Sequence, residues 1–346
     1  MQRPLGLLCL AAAALALALV PAIGAGGQAS NGEVQAVNDA AITQDAMPRQ
    51  LSDYGFFADM AAQRPQARVY PYRLNTPLWS DGADKLRFIY VPQGAQLSAD
   101  GDGLLQFPLG TAIIKTFAYG TGANRQLIET RVLLLREDGW LALPYRWNEE
   151  RSDARLALAG ARIAITNPQG EQISYRIPNK NQCKSCHSID DAVVPIGPKA
   201  RNLDADWMEM LVGHGGLDQV PQGGDAMPVW DDEGSEASTS TLARSYLDVN
   251  CAHCHRPGGG ASNSGLDLRW EQDDPFAIGV RKPPVAAGRG AGGLLVSIAP
   301  GEPDMSILVH RMNSTEPGVA MPELGRSTID ERAVSLMRDW VEGMEQ

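Results

Sequence analysis

Two stretches of this chain end in the same five-residue pattern, C-x-x-C-H. The first is I-P-N-K-N-Q-C-K-S-C-H at residues 177–187, and the second is Y-L-D-V-N-C-A-H-C-H at residues 246–255. The sequence before the first stretch has the features of β-strands, whereas helical periodicity dominates after the second. The two copies therefore divide the chain into a β-rich part and a helical part, and they predict an α+β fold.

The spacing within C-x-x-C-H is typical of covalent haem attachment. Cysteines three residues apart face one side of a helical turn, so both thiols can form thioethers with the vinyl groups of one haem. The histidine that follows then supplies a nitrogen ligand to the iron. The sequence predicts two covalently bound haem c groups, held by Cys183, Cys186 and His187 in the first copy and by Cys251, Cys254 and His255 in the second.

Three other uses of the four cysteines compete with haem attachment. They are a redox-active disulfide, a zinc site made by all four thiols, and a pair of structural disulfides. None of the three requires a histidine directly after the second cysteine. The chain has only five histidines, and two of them occupy these positions, which favours haem attachment.

Predicted strands fill the region between residues 51 and 178. They are short and are separated by turn signals such as Glu137-Asp138-Gly139, which predicts a hairpin. Strands of this length and spacing favour an antiparallel sheet, folded as a small barrel or sandwich. The predicted strands cover residues 85–91, 111–119, 127–136, 140–145, 162–166 and 172–177.

Helical stripes of apolar residues occur at 204–212, 241–250 and 304–312, and again in a final segment. At the start of that final segment, Thr328 and Glu331 fit a capping box in which Thr328 caps the helix and Glu331 reaches back. The sequence from 241 onward is therefore predicted to be helical.

The N-terminus predicts export. Arg3 precedes an apolar run from Leu5 to Val20, and small residues follow it, as in a cleaved secretory signal peptide at residues 1–29. A transmembrane anchor is the alternative, but the run is short for a bilayer. The expected location is the periplasm, with no membrane span after cleavage. The formal charge of −11 argues against nucleic acid or anionic lipid as a partner and suits a basic protein partner.

The sequence indicates a sixth ligand more clearly for the iron of the second haem than for that of the first. For the second haem, Met321 stands in an Ala-Met-Pro segment before the last helix, whereas Met305 and Met312 fall on an apolar helix face. For the first haem, Met227 and His214 are the candidates, and an open sixth position is an equal alternative. An open ferrous haem can bind small gases or a substrate.

Five runs of sequence resemble a bacterial family of diheme c-type cytochromes of unassigned role. They lie at residues 74–88, 107–117, 177–187, 195–203 and 246–255. The first half also resembles, more loosely, the β-rich cytochromes c′-beta and their hydroxylamine-oxidising relatives, through the segment from Phe107 to Lys115. Those relatives carry a lysine cross-linked to haem. That lysine is not assigned to a residue of this chain, and Lys115 is expected to end a strand on its polar face.

The residues after 241 resemble class I cytochrome c. A helix runs into C-x-x-C-H, a Met-Pro loop follows, and a helix ends the chain. The resemblance implies an all-α, class I cytochrome c-like domain. The predicted parts are a signal peptide at 1–29, a flexible linker at 30–50, a β-rich haem-binding domain at 51–212, a linker at 213–240 and a cytochrome c-like domain at 241–346.

Two haems in one exported chain predict electron transfer between periplasmic redox proteins that act as donor and acceptor. A haem enzyme or gas-binding protein, of the peroxidase or hydroxylamine-oxidising type, is the alternative if the first haem has an open site. A third hypothesis gives the β domain a binding role, in which it recruits a partner and its haem is structural.

Overall fold

The computed structural model describes residues 36–167, 170–222, 226–230 and 236–345. The predicted signal peptide, residues 1–29, lies outside these residues, as does the first part of the predicted linker at 30–50. Among the residues described, no helix combines the length and the apolar character needed to cross a membrane.

The β structure of the described residues consists of twelve strands. They are β1 (Phe57–Asp59), β2 (Arg64–Pro65), β3 (Val69–Tyr72), β4 (Asp84–Tyr90), β5 (Ala112–Tyr119), β6 (Gln126–Arg136), β7 (Gly139–Trp147), β8 (Ala154–Leu156), β9 (Ala161–Thr166), β10 (Gln172–Ile177), β11 (Ser188–Ile189) and β12 (Ala192–Val193). Strands β3 to β8 form one antiparallel sheet in chain order, and the other strands form three antiparallel pairs. The six predicted strands are confirmed, with ends shifted by one or two residues at most.

Apolar clusters cover both faces of the six-stranded sheet. Neighbouring residues of β5 alternate between them, because successive side chains of a strand point to opposite faces. Ile114 packs in the cluster that contains Tyr54 and Tyr145. Ile113 packs in the cluster on the opposite face, which contains Cys183 of the first C-x-x-C-H copy. The first motif is therefore seated directly on the sheet.

Seven α-helices are present in the described residues. They are α1 (Asp39–Thr43), α2 (Lys180–Cys186), α3 (Ala205–Gly213), α4 (Thr239–Asn250), α5 (Pro275–Ile278), α6 (Ile307–Met312) and α7 (Glu331–Glu342). The predicted helices at 204–212 and 241–250 are confirmed. Helix α1 lies in the segment predicted to be a flexible linker, and its Ile42 is 0% exposed because it packs in the core.

The prediction of an all-α, class I cytochrome c-like domain after residue 241 is wrong. Helices α5 and α6 are only four and six residues long, and the chain between α4 and α6 is mostly irregular. Prolines and glycines cause this, since Pro275 begins α5 and Gly279, at φ 118°, ends it. Two parallel backbone bridges, Val280 to Ile298 and Val296 to Ser306, take the place of helical packing here.

The predicted cap of the last helix is also wrong. Asp330, not Thr328, caps α7, and its carboxylate accepts a hydrogen bond from the Ala333 amide. Thr328 instead donates its hydroxyl to Asp81 Oδ1 at 3.0 Å. The local sequence pattern predicted that Thr328 caps the helix, but its side chain binds Asp81 of the β-rich part instead.

The β-rich and helical parts are joined by buried polar contacts just before the second motif. Asn250, the last residue of α4, accepts a hydrogen bond from the Trp79 amide at 2.8 Å. Asp248, two residues earlier, accepts from Lys199 Nζ at 2.7 Å and from Arg201 Nη2 at 3.3 Å. Burial alone would raise the pKa of Asp248, but Lys199 and Arg201 lower it below its ordinary value.

Candidate functional site

The first C-x-x-C-H copy lies in a helix and the second lies in a turn. Asn179 caps α2, which carries both Cys183 and Cys186. The second copy begins where α4 ends, and the amides of Cys254 and His255 both donate to the carbonyl of Cys251, at 3.1 and 3.0 Å. In both copies a hydrogen-bonded turn sets the spacing between the two thiols.

The two motifs touch each other through three consecutive glycines. The Asp190 amide, just after the first motif, donates to the Gly258 carbonyl at 3.0 Å, and Ile189 pairs with Gly259. A Cβ at Gly259 would lie 2.5 Å from the Cys254 carbonyl oxygen, so only glycine fits without a shift. The glycine run therefore allows the segment after the first motif to lie against the second motif.

The two motif histidines use the same ring nitrogen for a structural hydrogen bond. His187 Nδ1 lies 2.9 Å from the carbonyl oxygen of Val194. His255 Nδ1 lies 2.9 Å from Ser264 Oγ, whose own proton goes to the Ala261 carbonyl at 2.7 Å. Both partners must therefore accept, which places the proton of each neutral ring on Nδ1 and leaves the lone pair on Nε2. A hydrogen bond from the ring nitrogen that faces away from the metal is typical of a histidine that ligates a metal.

Burial keeps both imidazoles neutral near pH 7. Burial, together with the charge of Lys115, lowers the pKa of His187 to about 4. Burial likewise lowers the pKa of His255 to about 4. The thiol of Cys251 is also buried, which raises its pKa to about 12.

Each motif lines its own cavity. The larger cavity, of about 560 Å³, is lined by Cys251, Cys254, His255 and Met321. Its volume falls within the roughly 300–1,000 Å³ of pockets that hold cofactors and other organic ligands. The smaller cavity, of about 80 Å³, is lined by Cys183, Cys186 and His187. Cys186 lines both cavities, and so do Trp79, Asn250, His253, Pro322 and Leu324.

The candidate sixth ligands of the second motif lie in different places. Met321 lines the larger cavity together with His255. Met312 also lines this cavity, but it packs in the apolar cluster of α4 and α7. Met305 is exposed and does not line it.

The candidates for the first motif do not reach its cavity. Met227 is buried and does not line either cavity. Its amide donates to the Arg201 carbonyl, and its carbonyl accepts from Asn75 Nδ2. The ring of His214 stacks on Tyr70, and its Nδ1 contacts Met210 Sδ at 2.9 Å. The structure therefore brings neither Met227 nor His214 together with His187.

Sequence reasoning missed His253, a variable position inside the second motif. His253 lines both cavities, and its buried Nδ1 has no hydrogen-bond partner among the described residues. Ligand atoms of His253, Cys186 and Cys254 all lie within 4.8 Å of one another. The hydrogen bond between the two thiols lowers the pKa of Cys186 and raises that of Cys254. The signal in the sequence was a histidine between the two cysteines, at a position the motif leaves free.

Lys115 does not end a strand on a polar face, as the sequence had suggested. It lies in the middle of β5, on the side that faces the first motif, and lines the smaller cavity. Burial and the neighbouring charges of Arg131 and Arg87 lower its pKa to about 7.

The four cysteines of the motifs are free thiols in the described structure. No protein-family model, no curated protein and no solved structure matches this chain. The chemistry of the site therefore rests on its own geometry.

Proposed function

We propose that this protein is a periplasmic diheme c-type cytochrome that acts in electron transfer. The observation that carries the proposal is the hydrogen bonding of His187 and His255. In each ring Nδ1 donates the hydrogen bond, so the unprotonated Nε2 can ligate a metal. Each of these rings lines a cavity with the two cysteines of its own motif. The two residue sets thus have the donors that a haem c group needs, namely two thiols and one neutral imidazole.

The fit differs between the two sites. At the second motif, Cys251 and Cys254 would hold the group, and His255 and Met321 would ligate its iron. A cavity of about 560 Å³ lined by these residues supports this set. At the first motif the donors fit, but about 80 Å³ is too small for a macrocycle. Cys186 and His253 stand in the wall between the two cavities, so attachment at Cys186 would move that wall.

The shared wall supports electron transfer as the function. A bound haem c supplies a one-electron redox centre. Because the motifs touch and their cavities share six lining residues, the two centres would be neighbours, and this chain would connect them through Cys186 and His253. The proposed partners are periplasmic redox proteins that act as donor and acceptor, and the acidic composition suits a basic docking surface. Membership of the bacterial diheme family and export through a cleaved signal peptide are part of the same proposal.

Carbon monoxide tests this function against its main alternative. The alternative is a haem enzyme or gas-binding protein with an open first site, and it is favoured by the absence of Met227 and His214 from the lining of the first cavity. For electron transfer we expect two low-spin spectra and no carbon monoxide binding to the reduced protein. A high-spin component at the first haem that binds carbon monoxide would contradict electron transfer as the sole function.

A metal ion is a second candidate, favoured by the cluster of Cys186, His253 and Cys254. Zinc prefers thiolate and imidazole ligands, and three protein ligands leave room for a fourth. The two candidates exclude each other, because a thioether at Cys186 or Cys254 removes that thiolate. Metal analysis of the exported protein separates them: iron with covalent haem supports the cytochrome, and one zinc per chain without haem contradicts it.

A further inference from the structure

The second cysteines of the two motifs lie next to each other. The sulfur atoms of Cys186 and Cys254 lie within 4.8 Å, and a hydrogen bond joins the two thiols. The thiol of Cys254 also donates to the carbonyl of Ser185 at 3.6 Å, a residue 69 positions away in the chain. Both contacts hold a cysteine of the second motif against the first motif.

The backbone around the two motifs supports this arrangement. The Asp190 amide donates to the Gly258 carbonyl at 3.0 Å, and Ile189 pairs with Gly259. A Cβ at Gly260 would lie only 3.0 Å from the carbonyl oxygen of Ser185, so this glycine also permits a close approach. The two thiols are therefore brought together by the path of the backbone and not by their side-chain rotamers alone.

The first cysteine of each motif is placed differently. Cys183 is buried within α2, packs in the apolar cluster on the sheet, and donates its thiol to the Asn179 carbonyl at 3.5 Å. Cys251 packs against the apolar cluster of α4 and α7. Residues three apart in a helix have Cβ atoms about 5–6 Å apart, whereas a disulfide needs about 3.5–4.5 Å. The helix therefore disfavours a disulfide within the first motif.

An oxidant can reach the two facing thiols from solvent. Cys186 and Cys254 both line the cavity of about 560 Å³. Val285 lines the same cavity and is 70% exposed, so the cavity reaches the surface. Disulfide oxidants react with thiols through a mixed disulfide, and exported chains meet such oxidants.

We propose that Cys186 and Cys254 form a disulfide between the two motifs in the haem-free chain. One S–S bond forms and two S–H bonds break, and the two electrons and two protons pass to the disulfide of the oxidant, which leaves as two thiols. The bond takes one thiol from each motif, so a single disulfide blocks double thioether attachment at both motifs until a dithiol reductant opens it. This consequence for haem attachment rests on the proposed function, whereas the disulfide itself does not.

The test uses the full-length chain, produced without haem and treated with a chelator. Every protein also carries Cys9→Ser, which leaves only the four motif thiols. Cys183→Ser/Cys251→Ser keeps the facing pair, and Cys186→Ser/Cys254→Ser is the matched control that keeps the other pair. Each protein is incubated with oxidised glutathione, its remaining thiols are alkylated, and its disulfide-linked peptides are mapped by mass spectrometry.

We expect Cys186 linked to Cys254 in the four-thiol chain and in the variant that keeps this pair, with at least tenfold less internal disulfide in the matched control. The same oxidation in guanidinium chloride should instead favour pairs within a motif, because short loops close at a lower entropic cost.

Three results would overturn the proposal. They are disulfides within a motif in the native chain, four thiols that all stay free, or the same pairing in the native and the denatured chain. The proposed function is judged separately, by the haem content of the exported wild-type protein, so either proposal can fail without the other.

Discussion

At the residue scale, His187 and His255 reach the same orientation by different means. His187 is anchored by the backbone carbonyl of Val194, whereas His255 is anchored by the side chain of Ser264. The sequence predicted both histidines, because the motif fixes their distance from the cysteines. It did not predict Ser264, because the contact depends on the path of the loop from 255 to 264 and the local sequence does not specify that path.

Ser264→Ala tests the anchor of His255. The change removes the acceptor of the Nδ1 proton, and loss of such a contact typically weakens metal ligation by about 10–100-fold. A ligand without this hydrogen bond is also less basic, so the midpoint potential of the second haem should rise. Spectroelectrochemistry measures it, Ser264→Thr should restore the wild-type value, and Ser262→Ala, in the same turn but exposed, is the control. Equal potentials in Ser264→Ala and wild type would show that Ser264 does not act through His255.

His253→Ala tests the ligation of the first iron. His253 is the only histidine besides His187 that lines the smaller cavity, and its Nδ1 is buried without a partner among the described residues. We expect the variant to gain a high-spin component and to bind carbon monoxide at the first haem, while the second haem stays low-spin. If carbon monoxide binds equally to wild type and variant, His253 is not the sixth ligand and the open-site alternative gains support.

At the element scale, the strands were predictable and the C-terminal architecture was not. Turn residues such as Glu137-Asp138-Gly139 separate the strands, and the hairpin of β6 and β7 forms where they stand. The predicted order of helix, motif, Met-Pro loop and helix after residue 241 is also confirmed. However, that order does not determine what lies between the helices. A proline and a glycine limit α5 to four residues, and α6 has only six.

Gly259→Ala tests how the two motifs fit together. The added Cβ would lie 2.5 Å from the Cys254 carbonyl oxygen, so the turn must shift. Overpacking of this kind costs about 1–3 kcal/mol, and we expect a loss of that size in the free energy of unfolding together with less haem at the second motif. Denaturant titration and the haem-to-protein ratio measure both. Gly103→Ala, where a Cβ has no neighbour within 4 Å, is the control, and equal results for the two variants would contradict the close contact.

At the scale of the whole molecule, three stretches that are far apart in the chain, residues 74–88, 195–203 and 246–255, meet at the junction between the two parts. Trp79, from the run at 74–88, binds Asn250 from the run at 246–255. Lys199 and Arg201, from the run at 195–203, bind Asp248 in that same stretch. The sequence did not predict these contacts, because each polar residue is paired with one far away in the chain.

Asp248→Asn tests this junction. The change leaves Lys199 buried without its carboxylate, whereas Arg201 keeps Asp102 and Glu271. Breaking a buried pair from one side costs roughly 3–5 kcal/mol in the free energy of unfolding. Since the folded state lowers the pKa of Asp248, its contribution is present at neutral pH and is lost on acidification. The difference between wild type and variant in denaturant unfolding should therefore shrink below about pH 4.

The matched control for this junction is Asp304→Asn, which removes an exposed ion pair with Arg338. It should leave unfolding nearly unchanged at every pH, because solvent screens exposed pairs. A variant at Asp248 as stable as the wild type at neutral pH would show that the junction does not depend on this carboxylate.

Intact-mass spectrometry of the protein exported to the periplasm tests the central claim most directly. The account predicts a chain that has lost its N-terminal signal and gained the mass of two covalently bound haems. Changing Cys254 to Ala should abolish stable double thioether attachment at the second motif without removing the haem at Cys183 and Cys186. A chain with four unmodified thiols, or with a metal ion at Cys186, His253 and Cys254 and no haem, would contradict the account.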